Sequence, residues 1–153
     1  MENPSDARVA LLLRTAHRIA MVGLSSKPER PSYNVARYLL DHGYEVIPVN
    51  PNEREVLGRQ AYARLADVPG TIDVVDVFRR SKFVPGVVAE AVAAGVGAVW
   101  TQLGVISEEG AALASANGLT VVMDRCMEVE HARLVIHGAR FLADAEPTLA
   151  VSA

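Results

Sequence analysis

The sequence predicts an α/β fold with helices on both faces of a mainly parallel sheet, and three observations predict it. Short apolar runs rich in Val, Ile and Ala alternate with stretches of helical period along the chain. These runs are apolar at nearly every position rather than at every second one, as expected of strands covered on both faces. Each run ends in a turn that leads into a helix, and that rhythm demands parallel pairing. Right-handed crossovers then give a doubly wound, Rossmann-like sheet of five strands in a three-layer α/β/α arrangement.

The elements follow in order. A first amphipathic helix starts at an Asn3/Ser5 cap and feeds the strand RIAMVGL, 18–24. In SYNVARYLLDHG, 32–43, Val35, Ala36, Leu39 and Leu40 form one stripe, with Ser32 as the expected cap and Gly43 as the stop. YEVIPVNP, 44–51, is strand-like and ends in an Asn-Pro turn signal. A short helix over 62–69 precedes the β-branched strand IDVVDVF, 72–78. A helix over 82–95, a strand over 96–104, a helix over 107–118 capped by Ser107, and a strand over 119–124 complete the alternation. The stretch 127–142 reads as a terminal helix whose apolar flank suits a homodimer.

Composition narrows the function. With 153 residues, half of them apolar, the chain supports one core and is expected to form a single domain over 1–153. A net charge of −3 argues against nucleic-acid binding through bulk charge. The apolar start is interrupted by Arg14, His17 and Arg18, so no membrane or secretory segment is expected. The single cysteine, Cys126, excludes a disulfide framework and a thiolate zinc cluster, and fits a reducing cytoplasm. His17, His42, His131 and His137 have no metal-ligand spacing.

In a doubly wound sheet the ligand sits beyond the carboxyl ends of the strands. The residues there are Gly23, Leu24, Ser25, Ser26 and Lys27; Asn50 and Pro51; Phe78, Arg79, Arg80 and Ser81; Trp100 to Gly104; and Asp124, Arg125 and Cys126. Four cations (Lys27, Arg79, Arg80, Arg125) on an acidic chain point to a small polyanion, unless they pair with acids such as Glu29 and Asp124. The first turn, GLSSKPERPS, lacks both the G-x-G-x-x-G fingerprint and a Walker loop, and Asn50-Pro51 stands where a nicotinamide enzyme offers a ribose-binding acid. What the turn offers is backbone N–H groups at a helix start, two serine hydroxyls and a lysine.

With these motifs in order, the chain resembles the small bacterial coenzyme A-binding proteins, themselves similar to the N-terminal domain of the succinyl-CoA synthetase alpha subunit. The resemblance runs from about Arg14 to Leu134 through VGLSSKPERPSYNVARYLLDHGYEVIPVNP, DVVDVFRRS and VWTQLGVISEEGAALASANGLTVVMDRCMEVEH. It implies that Gly23, Ser25, Ser26, Lys27 and Pro28 meet the CoA phosphates and that Asn50 and Pro51 wall the adenosine. It also implies that Val77, Phe78, Arg79 and Arg80 flank the nucleotide, and that Trp100, Gln102, Leu103 and Gly104 line the pantetheine passage. Arg125 and Cys126 close the list of ligand-binding candidates. No histidine matches the synthetase's phosphorylated one, so synthetase activity is not implied.

The resulting expectation is a cytoplasmic protein that binds CoA or an acyl-CoA without chemistry of its own, as carrier, sensor or partner subunit of an enzyme. Two alternatives stand beside it: a CoA-ligase component or thiol-dependent acyl transferase using Cys126, and an NAD(P)-binding redox domain. Cys126 reads first as a small, partly buried apolar residue. Arg125 and the following helix start are surroundings that favour a thiolate, and hence a mixed disulfide with CoA.

Overall fold

The computed structural model describes residues 1–138. Five parallel strands form the main sheet: β1 (Arg18–Val22), β2 (Glu45–Val49), β5 (Val74–Val77), β6 (Ala98–Thr101) and β7 (Thr120–Val122). Their spatial order is β2-β1-β5-β6-β7. The chain turns to one side of β1 for β2 and crosses to the other side for β5, so the strand order reverses at β1/β5.

Helices α1 (Asp6–Thr15), α2 (Pro31–Asp41) and α5 (Met127–His131) cover one face, where Leu13, Met21, Leu39, Trp100 and Leu134 are buried together. Helices α3 (Val84–Ala93) and α4 (Glu108–Ala116) cover the other over Val75, Val77, Val88 and Val99. The strands therefore carry apolar residues on both faces, each fully buried Val or Leu contributing about 1.5–3 kcal/mol. Ser5 and Ser107 cap α1 and α4 through their side chains, as the sequence predicts.

Three elements differ from expectation. Ser32 is not the cap of α2: Pro31 suits the first helical turn, the helix starts there, and the Ser32 hydroxyl accepts the Ser25 N–H at 3.1 Å instead. The expected helix over 62–69 is a single 3₁₀ turn at Leu65–Asp67. A two-stranded antiparallel pair, β3 (Glu55–Val56) and β4 (Arg59–Gln60), fills a stretch with no expected element. Its Leu57-Gly58 turn has positive φ at both residues, 52° and 75°, a conformation usually signalled by Asn-Gly. Here Leu57 takes the first position because its side chain packs against the core. After α5 the chain widens into a π turn, Ala132–Ile136; the part of the expected terminal helix beyond residue 138 lies outside the described residues.

Candidate functional site

The site is built at the carboxyl edge where β1 and β5 part. Gly23 ends β1 with φ of 92°, and a Cβ there would sit 2.4 Å from the Phe78 carbonyl oxygen. Only glycine lets the first turn lie this close to the Phe78-Arg79 segment that leaves β5. The single glycine of the turn is thus explained by contact with a second loop. The Asn50 amide at the end of β2 donates to the Leu24 carbonyl at 3.1 Å and tethers the third loop to the first.

One expectation for the first turn is corrected. The N–H groups of Ser25, Ser26 and Lys27 are not open to a ligand, because side chains of the chain itself already occupy them. Ser25 N–H donates to Ser32 Oγ, Lys27 N–H to Ser25 Oγ at 3.1 Å, and Ser26 N–H to Glu53 Oε2 at 2.6 Å. The Glu53 carboxylate, an anion, sits where a phosphate would be received. Glu53 was not among the sequence candidates; it lies three residues beyond Asn50, and no motif marks it.

Two cavities of about 700 and 720 Å³ open on this edge, and both are lined by Phe78, Arg79 and Arg80. The first is mostly apolar and is walled by Pro31, Val35, Gln102, Leu103, Gly104 and Cys126. The second is more polar and adds Gly23, Asn50, Pro51, Arg64, Phe83 and Glu90. Arg79 lies over the Phe83 ring at 3.9 Å from its centroid, a contact that holds the guanidinium plane at the shared wall. Ser25, Ser26, Lys27 and Pro28 line neither cavity.

The four expected cations divide. Arg125 pairs with the buried Glu130 at 3.7 Å rather than with Asp124, whose carboxylate accepts the Gly104 N–H at 2.7 Å. Lys27, Arg79 and Arg80 have no ion pair among the described residues, and Arg79 and Arg80 stand at the wall of both cavities. Two further candidates, Val77 and Trp100, are completely buried and present no side-chain surface at this edge. Trp100 acts on the edge indirectly, its Nε1–H donating to the Arg125 carbonyl at 2.9 Å.

Beneath the apolar cavity Gln102 has a partner, Asp76, that sequence reasoning missed. Asp76, in the middle of β5, is completely buried, and its Oδ1 accepts from Gln102 Nε2 at 2.7 Å. Its Oδ2 has no partner among the described residues. Burial pushes the Asp76 carboxyl up to about 7, against the opposing effect of the Gln102 hydrogen bond. A lone acid inside the apolar run VVDVF was the visible signal. Cys126 lines the cavity wall, and His131 turns away from it to bond the Tyr38 hydroxyl through Nδ1 at 2.9 Å. No Cys–His pair forms among the described residues.

Comparison with known proteins gives a consistent family. The family described as CoA binding domain matches residues 17–132. The protein YneT of Bacillus subtilis (strain 168) is 44% identical over 132 residues, covering 86% of this chain and 98% of YneT. A solved protein from Pyrococcus horikoshii OT3 superposes with a TM-score of 0.84 at 40% identity, covering 88% of this chain and 99% of that one. The ADP-forming acetate–CoA ligase II of Archaeoglobus fulgidus is 34% identical over 95 residues, which span 60% of this chain but only 14% of the ligase.

Proposed function

The chain belongs to the CoA binding domain family, and from that premise we propose that it holds coenzyme A or an acyl-CoA across the two cavities as a non-catalytic carrier, sensor or partner subunit. The observation that carries this reading is the wall of Phe78, Arg79 and Arg80 shared by a mostly apolar cavity and a more polar one. CoA has the same division: a flexible, largely apolar pantetheine arm and a nucleotide bearing a pyrophosphate and a 3′-phosphate. In this reading the pantetheine arm runs past Gln102, Leu103 and Gly104 towards Cys126. The adenosine lies against Asn50 and Pro51, and Arg79, Arg80 and Lys27 neutralise the phosphates.

The absence of a Cys–His pair among the described residues favours binding over acyl transfer by Cys126. The partial likeness to an acetate–CoA ligase points to a ligase-type enzyme as the partner class, with the work done in a reducing cytoplasm. Among the described residues no helix is long and apolar enough to cross a membrane.

Calorimetry with CoA, acetyl-CoA, dephospho-CoA, NAD and ATP tests the reading. CoA is expected to bind, with dephospho-CoA weaker because it lacks the 3′-phosphate. Binding of NAD with none of CoA overturns it.

A further inference from the structure

At the opposite edge of the sheet, where β1 and β2 begin, a cavity of about 330 Å³ gathers Arg14, His17, His42, Tyr44 and His131. Arg14 comes from the last turn of α1 and His17 from the link to β1. His42 and Tyr44 flank the Gly43 turn between α2 and β2, and His131 ends α5. Among the described residues, no Asp or Glu lines the cavity.

Two of the three Arg14 side-chain nitrogens, Nε and Nη2, are buried without a hydrogen-bond partner among the described residues. A guanidinium cannot shed its charge at ordinary pH, so leaving these donors unpaired is costly. The acceptors a cation would find at this edge are the last carbonyls of α1 and α2. Six of them are already in use. The Leu11 carbonyl accepts from Thr15 Oγ1 at 2.8 Å, Leu12 from Ala16 N–H at 3.0 Å, and Leu13 from the Tyr44 hydroxyl. The Tyr38 carbonyl meets His42 Nδ1 at 2.7 Å, Leu39 accepts the Tyr44 N–H at 3.1 Å, and Leu40 accepts the Gly43 N–H at 3.3 Å.

We propose that this cavity is a second binding site, for a small oxyanion of the carboxylate or phosphate class, seated on the Nε–Nη2 edge of Arg14. Those two N–H groups lie on one side of the guanidinium and form one fork, matched to two oxygens on a single carbon or phosphorus. His131, with Nδ1 accepting from the Tyr38 hydroxyl, presents an Nε2–H to the anion, whereas His42 spends its Nδ1–H on the Tyr38 carbonyl and donates from Nε2 only as a doubly protonated ring. Burial, and after it the charge of His42, pushes the His131 imidazole below its ordinary value, as befits a cavity short of negative charge. The cavity volume suits a ligand far smaller than CoA. The proposal is independent of the CoA reading, since the two sites lie at opposite ends of the strands.

The test is an amide NMR titration of the full chain with inorganic phosphate and, separately, with acetate, in a chloride-poor buffer. Saturable shifts are expected at Ala16, His17, Gly43 and Tyr44, and the stronger of the two titrants assigns the site to phosphate or to carboxylate. Arg14→Gln is expected to weaken the response at least about tenfold, and Arg14→Lys to weaken it less, because it keeps the charge without the fork. If Arg14→Gln does not fold, the wild-type map decides. Shifts that never saturate at these amides, shifts confined to the Gly23–Lys27 turn, or equal binding by folded Arg14→Gln overturn the proposal. A CoA titration of the same sample, read at the opposite edge, reports separately on the proposed function.

Discussion

Replacing Asp76 by asparagine is expected to change how stability depends on pH rather than simply to lower it. Burial raises the Asp76 carboxyl from 3.8 to about 7, a difference of roughly 3 units, each worth about 1.4 kcal/mol. In the folded chain this group keeps a proton that the unfolded chain has already released. Its contribution is therefore fully present below pH 3.8, falls by about 1.4 kcal/mol per pH unit, and is lost once pH passes about 7. The total loss is about 4 kcal/mol. The asparagine of Asp76→Asn does not titrate. It retains an oxygen for Gln102 Nε2 but puts an amide nitrogen where Oδ2 has no partner among the described residues, a fixed cost of about 1–3 kcal/mol.

Wild type is thus expected to be the more stable protein near pH 4.5, and Asp76→Asn to match or exceed it by about pH 8.5. Urea unfolding of both proteins across that range, plotted as their difference, cancels every other titrating group. A difference that stays flat through neutral pH refutes the reasoning, because Asp76 would then be ionised in the fold at every pH tested.

Three further predictions concern the ligand edge. Glu53→Gln removes the resident anion from the Ser26 N–H and is expected to tighten CoA binding about fivefold by calorimetry; weaker binding would make Glu53 a ligand contact instead of a competitor. Gly23→Ala is expected to cost about 3 kcal/mol in urea unfolding, since the new Cβ meets the Phe78 carbonyl and the positive φ is retained; a loss within the error of wild type would mean the two loops separate freely. CoA disulfide is expected to leave a CoA adduct on Cys126, the Cys126 thiolate attacking the disulfide and releasing one CoA thiol. Mass spectrometry checks this, and CoA binding without any adduct refutes it.

The layers and the strand sequence are legible because each depends on local pattern. Apolar runs covered on both faces, Ser5 and Ser107 as caps, and short turns after strands are properties of contiguous residues. What the sequence left unread depends on contacts between distant segments. Trp100 and Val77 stand at strand ends by number, yet their side chains point into the core, which strand position alone does not decide. Glu53 reaches Ser26 across 27 residues and Asp76 reaches Gln102 across 26, and neither pairing leaves a spacing to recognise. Ser32 is not the cap it resembles because Pro31 starts the helix one residue earlier than the serine implies.

Glu53 also bears on how a turn with one glycine can serve a phosphate. A glycine-rich turn gains affinity by presenting bare N–H groups, which must stay hydrated until the ligand arrives. In this chain Ser25, Ser32 and Glu53 satisfy the turn internally, so the N–H groups of Ser25, Ser26 and Lys27 are all paired before a ligand arrives. The consequence is selectivity by charge exchange: a ligand gains at Ser26 only if its anion outcompetes a carboxylate held at 2.6 Å. Under the proposed reading, phosphates that meet Lys27, Arg79 and Arg80 together would satisfy that condition more readily than a singly charged ligand at the same turn.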